Sequence, residues 1–355
     1  MSTFYEKENK ENLLKIREHL KELPSFTKEF FRAKTDYTSS KTRLAYIYDL
    51  KLFFNFLISE TIEFKDKTME TFELKDMESI TIEHIEEFME YLTYYIKDKN
   101  TDKRIVKPLE VENRVEGKAR KLSALKSMFA YFNKKGKIMN NPANLIDTPP
   151  QKTKEKIYLD VNELANLLDE VEQGDKLTKK QRDYHAYTKS RDLALLSLFS
   201  GTGIRISEAV GINIKDVNIE EMRFKVVRKG GDEATLYFND EIKNALAQYM
   251  VERNKITPIE GHEEALFLSL QKRRITARAI QNLVKKYSAL VSFKKITPHK
   301  LRTTFGTNMY RQTGDIYLVA DLLGHKDVNT TRKNYADTKD EAGRRAAMKY
   351  KLREE

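Results

Sequence analysis

The sequence predicts a mainly α-helical protein of two units, with a small β-hairpin or three-stranded sheet in the second unit. Three observations lead to this fold class. Apolar residues recur three or four positions apart through the first half of the chain, which is typical of amphipathic helices. Glycine and proline are sparse, with 13 and 7 among 355 residues. The period changes between 222 and 239, where two β-rich runs flank Lys229-Gly230-Gly231.

Composition narrows the classes of protein to consider. A chain of 355 residues can form two or three domains, and 40% apolar with 34% charged residues is an ordinary soluble composition. The net charge of +11 favours a polyanionic partner, although a merely lysine-rich surface is an equally simple explanation. The absence of cysteine excludes disulfides, thiol nucleophiles and Cys-type zinc sites, and it fits a cytoplasmic protein.

The termini and apolar runs give no sign of membrane targeting. The opening stretch "MSTFYEKENKENLLKIREHL" is too charged for a signal peptide. The longest apolar runs, such as "LALLSLF", are far too short to span a bilayer. We therefore expect no membrane association.

The first unit is predicted to be a compact all-α unit of four or five helices that ends near residue 145. Its helices include "TSSKTRLAYIYDLKLFFNFLISE", with Ser39 or Ser40 as N-cap, and "GKARKLSALKSMFAYFNKKGKI", with Gly136 as the C-terminal stop. Between them, "ITIEHIEEFMEYLTYYI" is predicted to be one further amphipathic helix. The predicted apolar stripes of the two flanking helices are Ile47, Leu50, Phe54 and Leu57, and Leu122, Leu125, Phe129 and Phe132.

Three prolines and a lysine-rich stretch then interrupt the helical pattern. We assign residues 1–147 to the first unit, 148–157 to a linker and 158–355 to the second unit. The second unit begins with a capping-box pattern, Asp160 with Glu163, and helices follow through "VNELANLLDEVEQ" and "SRDLALLSLFS". Helices return after residue 240.

The second unit also carries an ordered series of basic, imidazole and phenol side chains. Arg205 lies where a glycine-containing turn enters a helix, and Lys229 lies at the predicted hairpin tip. His299 and Arg302 share a turn of a helix that starts after Pro298. His325 follows Gly324, where we expect another helix to begin, and Tyr335 comes ten residues later.

These residue types together suit phosphoryl transfer on a phosphodiester. Arginine donates two hydrogen bonds to phosphate oxygens, and imidazole N–H groups can add further donors. A lysine can protonate a departing alkoxide, and a tyrosine can hold the phosphoryl group covalently. Each residue alone has a simpler explanation, such as a surface arginine, a solvated turn lysine or a structural histidine. The complete ordered set favours the catalytic interpretation.

The motifs "GTGIRISE", "RKGG", "HKLR" and "LGH", followed by a tyrosine, resemble the tyrosine recombinases, also called the phage-integrase family. The resemblance covers roughly 158–345, and the helical first unit is similar to the family's core-binding domain. Chain length, the helical N-terminus and "RLAYIYDLKLFFNFLISE" most resemble the Xer-type recombinases, in particular the single-protein Xer type of streptococci and related Firmicutes. The implied architecture is a helical SAM-like core-binding domain followed by a mixed α/β catalytic domain.

The resemblance implies a role for each residue of the series. Arg205 and Arg302 would clamp the scissile phosphate, and His299 and His325 would donate hydrogen bonds to it. Lys229 would protonate the leaving 5′ oxygen, and Tyr335 would form a 3′-phosphotyrosyl link. Glu208 matches an acidic position that orients the site. No cofactor or metal ion is implied.

Two departures from the family pattern concern the tyrosine. Tyr335 is followed by Ala-Asp where many members have Thr-His, and the interval from His325 is one residue longer than in many Xer members. Tyr350, in the basic tail, is the later alternative.

The resemblance also implies partners. Two domains would close around double-stranded DNA with inverted half-sites, and the C-terminal tail "DEAGRRAAMKYKLREE" would pass to a neighbouring protomer to give a homotetramer on two duplexes. An FtsK-like DNA translocase as activating partner is implied only by the Xer likeness. The candidate DNA contacts are basic or hydroxyl residues near helix starts and in the linker: Ser40, Lys41, Arg43, Lys118, Arg120, Lys121, Lys126, Lys152, Lys154, Thr276, Arg278 and Lys285.

The predicted function is site-specific DNA recombination, with Xer-like chromosome dimer resolution at a dif-type site as the first hypothesis. An integrase or excisionase of a phage or conjugative element is the alternative. A type IB topoisomerase-like enzyme and a DNA-binding regulator with an inactive site are the other classes considered. A metal-dependent nuclease is disfavoured because no cluster of ligands has metal-site spacing.

Overall fold

The computed structural model describes residues 4–97, 107–150, 156–228, 230–325, 327–329 and 331. The chain divides into two compact units, Met1–Lys154 and Glu155–Glu355. Each unit has its own apolar core. Helices dominate both units, and the β-structure of the described residues is two small antiparallel sheets, so the predicted fold class is confirmed.

The first unit is built mainly of helices around an aromatic core. Its helices are α1 (Phe4–His19), α2 (Thr27–Ala33), α3 (Ser40–Glu60), α4 (Ile82–Tyr91), α5 (Val115–Lys134) and α6 (Pro142–Leu145), with 3₁₀ turns at Leu20–Glu22 and Leu74–Ser79. Its strands are β1 (Tyr94–Lys97) and β2 (Leu109–Glu112).

The apolar stripes predicted for α3 and α5 are confirmed. All eight stripe residues of the two helices lie in one buried cluster, where Phe54 and Phe132 both make edge-to-face contacts with Phe26. Ser39 caps α3, because its hydroxyl accepts a hydrogen bond from the backbone N–H of Thr42 at 3.2 Å. Gly136, with φ of +65°, follows the end of α5 as predicted.

The prediction of an all-α first unit is wrong in one place. The helix predicted through "ITIEHIEEFMEYLTYYI" ends at Tyr91, and Tyr94–Lys97 pairs antiparallel with Leu109–Glu112. The aromatic residues of "YLTYYI" continue the helical spacing of apolar positions, but tyrosine and isoleucine also favour strands. Tyr95 faces the core in β1, while Tyr94 and Ile96 are exposed, which is the alternation of a half-buried strand.

The second unit packs its helices around α8. Its helices are α7 (Val161–Gln173), α8 (Lys179–Thr202), α9 (Ile206–Gly211), α10 (Asp240–Asn254), α11 (Ala277–Val291), α12 (Pro298–Thr313) and α13 (Ile316–Leu323), with a 3₁₀ turn at Ile214–Asp216. α8 contacts α7, α10 and α12, and its second half, residues 194–200, is fully buried. The capping box of Asp160 and Glu163 at α7 is confirmed.

The predicted hairpin is the last part of a three-stranded antiparallel sheet of β3 (Val217–Asn218), β4 (Arg223–Val227) and β5 (Glu233–Tyr237). Val227 pairs with Glu233, so the connecting turn spans 228–232. Phe224, Val226 and Leu236 turn inward and fix the register.

Gly203 ends α8 in a left-handed conformation and lies where three elements meet. Its φ is +61°, and a Cβ atom there would lie 2.5 Å from Cδ1 of Phe305 and 2.9 Å from Cδ2 of Leu323. Phe305 belongs to α12 and Leu323 ends α13, so the absence of a side chain lets both helices approach the end of α8.

We expect Gly203→Ala to lower the free energy of unfolding by about 2 kcal/mol or more, since it adds crowding to backbone strain. Urea denaturation of the full chain measures this. Gly314→Ala is the matched control, because Gly314 also ends a helix with φ of +71° but a Cβ there meets no atom within 4 Å. An equal loss in both variants would show that crowding at Gly203 contributes nothing.

Candidate active site

Arg205 stands at the N-terminus of α9 and is fixed by Glu208. The Glu208 carboxylate accepts from the backbone N–H of Arg205 and from its Nη1, both at 2.8 Å. Glu208 is buried, whereas the Arg205 side chain is partly exposed. A buried carboxylate thus fixes an arginine side chain that remains partly exposed.

Arg302 lies on α12 and is buried. Its Nη1 donates to the carbonyl of Gly203 at 2.6 Å, and its Nη2 donates to the carbonyl of Leu323. Because Gly203 ends α8 and Leu323 ends α13, this one guanidinium joins the C-terminal ends of two helices. Backbone carbonyls at helix ends lack intrahelical partners and carry partial negative charge, so a cation is favoured there.

Three arginines converge on the last turn of α13. Arg228 donates to the carbonyls of Leu322 and Leu323, Arg302 also donates to that of Leu323, and Arg205 donates from Nη2 to that of Gly324 at 3.1 Å. His325 follows immediately. Gly324 has φ of +62° and ends α13, and helical residues resume at Val328, so His325 lies between the end of one helix and the expected start of the next.

The two imidazoles belong to the same cationic cluster. Burial, then Arg302 and Arg205, then Arg228 and His299, lower the pKa of His325 from 6.5 to about 4. Partial burial and the charges of Arg302, Lys300 and Arg205 also lower the pKa of His299, although this residue keeps an exposed edge. Nδ1 of His325 is hydrogen-bonded to the hydroxyl of buried Thr331 at 2.7 Å, which orients the ring. Both histidines are therefore neutral near pH 7.

The structure thus brings together four of the six residues predicted to be catalytic: Arg205, His299, Arg302 and His325. The other two, Lys229 and Tyr335, lie outside the described residues, as do Tyr350 and the tail. Arg228 is a member of the cluster that the sequence did not single out. Its position directly before Lys229 was the one hint in the sequence that Arg228 belongs to the site. The hint is weak, because the contacts of Arg228 are to residues 94 and 95 positions further along the chain.

The DNA-contact candidates of the first unit differ in exposure. Lys41 is exposed and pairs with Glu8, Lys118 donates to the Thr93 hydroxyl at 2.5 Å, and Lys126 is half-buried. The remaining four have partners or positions inside the unit: Ser40 and Arg43 are buried, Arg120 pairs with buried Asp49, and Lys121 is buried and donates to Asn113 at 2.7 Å.

The pair of Arg120 with Asp49 joins α5 to α3. Asp49 is 3% exposed, and burial raises its pKa although Arg120 and Lys121 oppose this. Burial lowers the pKa of Lys121. These charges hold two helices together, a structural task that the spacing of basic residues does not reveal.

The candidates of the second unit lie on or beside α11. Thr276 is its N-cap and accepts from the N–H of Ala279 at 3.1 Å, and Arg278 and Lys285 are exposed. Lys152 and Lys154 lie outside the described residues.

Two other features are absent from the described residues. Within the described ranges, we find no cluster of three or more histidine, aspartate or glutamate side chains suited to a metal ion. None of the helices in that part of the chain is long and apolar enough to cross a membrane.

The second unit matches a known protein family. The model of the phage integrase family matches residues 158–342, which contain every residue of the predicted catalytic series. The chain belongs to this family. Residues 158–342 make up the greater part of the second unit, so the family assignment rests on the unit in which the arginines and histidines converge.

Named integrase-family relatives match nearly the whole chain. Tyrosine recombinase XerC of Caldanaerobacter subterraneus subsp. tengcongensis is 32% identical over 329 residues, 89% of this chain and 83% of that protein. Tyrosine recombinase XerS of Streptococcus thermophilus is 31% identical over 348 residues, 90% of this chain and 93% of that protein. The expected likeness to the tyrosine recombinases and their Xer members is therefore confirmed.

A solved structure shows the same integrase-family fold. The XerH site-specific recombinase, crystallised with a palindromic difH substrate as a post-cleavage complex, superposes with a TM-score of 0.59 at 20% identity. The match covers 87% of this chain and 79% of that one.

The protonation of His325 is directly testable. We expect ¹⁵N NMR of the DNA-free protein to show a neutral His325 ring from pH 8 down to pH 5, since its pKa lies near 4. His325→Gln assigns the signal. A His325 ring that protonates near pH 6.5 would contradict the described cluster of cations.

Proposed function

We propose that the protein is a site-specific DNA recombinase that cuts and rejoins strands through a 3′-phosphotyrosine on Tyr335. The observation that carries this proposal is the convergence of Arg205, Arg302, His299 and His325 in one cationic site of a phage-integrase-family unit. The names of the XerC and XerS relatives support the same reaction.

The two arginines would bind the scissile phosphate. A phosphodiester carries one negative charge, and attack at phosphorus concentrates further charge on the non-bridging oxygens. Arg205 and Arg302 are held by Glu208, Gly203 and the end of α13 before substrate binds, so little reorganisation is needed. Electrostatic stabilisation of a transition state is most effective when the donors are already held in place in this way.

The imidazoles would supply neutral N–H donors to the same oxygens. With Nδ1 of His325 occupied by Thr331, Nε2 is the nitrogen that would face the phosphate. A phosphate anion placed beside the rings would raise the pKa values of His299 and His325, because it offsets the arginines that now lower them.

The covalent step would proceed by displacement at phosphorus. The phenol oxygen of Tyr335 loses its proton to a base and forms a bond to phosphorus as the bond from phosphorus to the 5′ oxygen breaks. Lys229 gives that leaving oxygen a proton. Rejoining reverses these steps with the 5′ hydroxyl of another strand, so the phosphodiester is restored without ATP.

Metal independence follows from the chemistry of the donors in this proposal. The positive charge that a divalent cation contributes at other phosphoryl-transfer sites would here come from Arg205 and Arg302. We therefore expect strand cleavage in EDTA.

The partner would be double-stranded DNA with inverted half-sites, bound by residues 1–147, the linker 148–157 and the catalytic residues 158–355. Strand exchange between two duplexes would take a homotetramer, and an FtsK-like translocase would be the activating partner. The Xer names of the relatives and the difH substrate of XerH support a dif-type site and chromosome dimer resolution. Cleavage only at the ends of a mobile element would instead favour the integrase alternative.

Covalent trapping tests the proposal. Purified protein incubated in EDTA with nicked suicide duplexes that carry candidate dif-type sites should give a slower-migrating band on a denaturing gel. Tyr335→Phe should abolish this band, because phenylalanine lacks the attacking oxygen, while it leaves DNA binding in native gels intact.

Tyr350→Phe is the matched control and should form the adduct normally. A band that persists in Tyr335→Phe and vanishes in Tyr350→Phe would move the nucleophile to Tyr350. Site-specific DNA binding by the wild type, with no adduct on any suicide duplex even with an added translocase domain, would favour a DNA-binding regulator.

A further inference from the structure

The backbone of Arg228 makes the hydrogen bonds that close the hairpin turn before β5. Its backbone N–H donates to the carbonyl of Asp232 at 2.7 Å, and its carbonyl accepts from the N–H of Gly231 at 3.0 Å. These two bonds close the turn over 228–232, so the backbone of Arg228 is fixed relative to β4. Lys229, which lies outside the described residues, follows Arg228 in the sequence.

The Arg228 side chain reaches from that turn to the end of α13. Nη1 donates to the carbonyl of Leu323 at 2.6 Å, and Nη2 donates to that of Leu322 at 3.2 Å. Both carbonyls belong to the final helical turn, where intrahelical partners are lacking. One planar guanidinium therefore caps the helix that leads directly into Gly324 and His325.

The guanidinium also fills the space above Gly324. A Cβ atom on Gly324 would collide with Nη1 and Cζ of Arg228. Close packing on both the carbonyls and the glycine leaves the segment 322–324 little freedom to move relative to the hairpin.

Burial of the Arg228 guanidinium is unfavourable unless its donors are satisfied. Burial lowers the pKa of Arg228, the charge of Glu208 opposes this, and the charge of Arg205 adds a smaller lowering effect. A long arginine side chain would ordinarily extend its charged end toward solvent. The hydrogen bonds to the α13 carbonyls satisfy the donors that burial removes from water.

The terminal nitrogens of Arg228 point into the protein. Nη1 and Nη2 donate to the carbonyls of Leu323 and Leu322. Arg302 also donates both terminal nitrogens to carbonyls, and partly exposed Arg205 shares its own between Glu208 and Gly324. Donor direction therefore shows which elements Arg228 joins, and the duplex affinity measured below decides whether Arg228 also contacts DNA.

We propose that Arg228 is a positioning residue that locks the His325-bearing end of α13 to the hairpin turn that carries Lys229. It would thereby set the relative placement of the phosphate donor and the proton donor in the reaction. The expected effect on adduct formation rests on the proposed recombinase function. The link between α13 and the hairpin rests on the hydrogen bonds alone.

The kinetic test compares Arg228→Met, Arg228→Lys and the control Arg223→Met. Arg223 is the first residue of β4, the strand that Arg228 follows, and it pairs with Glu221 at the surface. Single-turnover adduct formation on a nicked suicide duplex, at saturating protein, should slow by about ten- to a hundredfold in Arg228→Met, as expected for losing charge-assisted bonds. Duplex affinity in filter binding should stay at the wild-type level, and Arg223→Met should match the wild type in both assays.

The second readout is the titration of His325 by ¹⁵N NMR without DNA. In Arg228→Met the pKa of His325 should rise, because a nearby cation is lost. In Arg228→Lys the charge remains and that pKa should stay low, yet adduct formation should remain slow, since one ammonium cannot reproduce the planar two-carbonyl contact. A general loss of stability would not slow adduct formation in Arg228→Lys while leaving the pKa of His325 low.

The outcomes are distinct. Wild-type adduct rates in both Arg228 variants would overturn the proposal, and so would an affinity loss that parallels the rate loss, which would make Arg228 a DNA contact. If Arg228→Met fails to fold by circular dichroism, Arg228→Lys decides by the same criteria. If the wild type forms no adduct, the recombinase proposal fails, whereas an unchanged His325 titration in Arg228→Met would separately overturn the positioning role.

Discussion

The candidate site depends on the interaction of arginine side chains with the carbonyls that end α13. Three guanidinium groups, from the hairpin, α9 and α12, donate to three successive carbonyls at 322–324. Helix ends offer such carbonyls without intrahelical partners, and their partial negative charge makes it possible to gather cations that would otherwise repel each other. The glycine at 324 provides the close approach that this arrangement needs.

The same interaction explains the state of the imidazoles. His325 follows the carbonyls on which the arginines converge, so it experiences their charge together with partial burial, and it remains neutral over the physiological range. Neutral rings cost less to hold among cations than charged ones would, and in the proposed function each would still offer an N–H group to an incoming anion. Glu208, which is buried against Arg205, offsets part of the excess positive charge of the site.

Sequence patterns predicted the parts of this molecule that depend on local periodicity and on caps. The stripes of α3 and α5, the capping box at Asp160 and the hairpin at 223–237 are set by neighbours a few residues away. The strand Tyr94–Lys97 was missed because its aromatic residues satisfy helical and strand patterns equally well. The arginines and histidines that meet in the second unit were identified from the order of their motifs along the chain, not from a helical or strand spacing.

The parts that sequence could not predict are long-range polar contacts. Arg228 was not singled out, since its partners on α13 are remote in sequence. Arg120 and Lys121 were predicted to be DNA contacts, but they bind Asp49 and Asn113 within the first unit. A basic residue near a helix start has the same local signature whether it binds an anion from solution or a carboxylate of its own domain.

The central claim is that Arg205 and Arg302 would offset the charge of a phosphodiester, and the scissile phosphate itself provides the most direct test. Suicide duplexes with either a normal phosphate or a neutral methylphosphonate at the scissile position can be compared with wild-type protein and Arg302→Ala. We expect Arg302→Ala to lose adduct formation on the charged phosphate and to approach the wild-type rate on the neutral one, because less charge then needs compensation. An equal defect on both substrates would contradict the claim and reduce Arg302 to a residue that only joins the ends of α8 and α13.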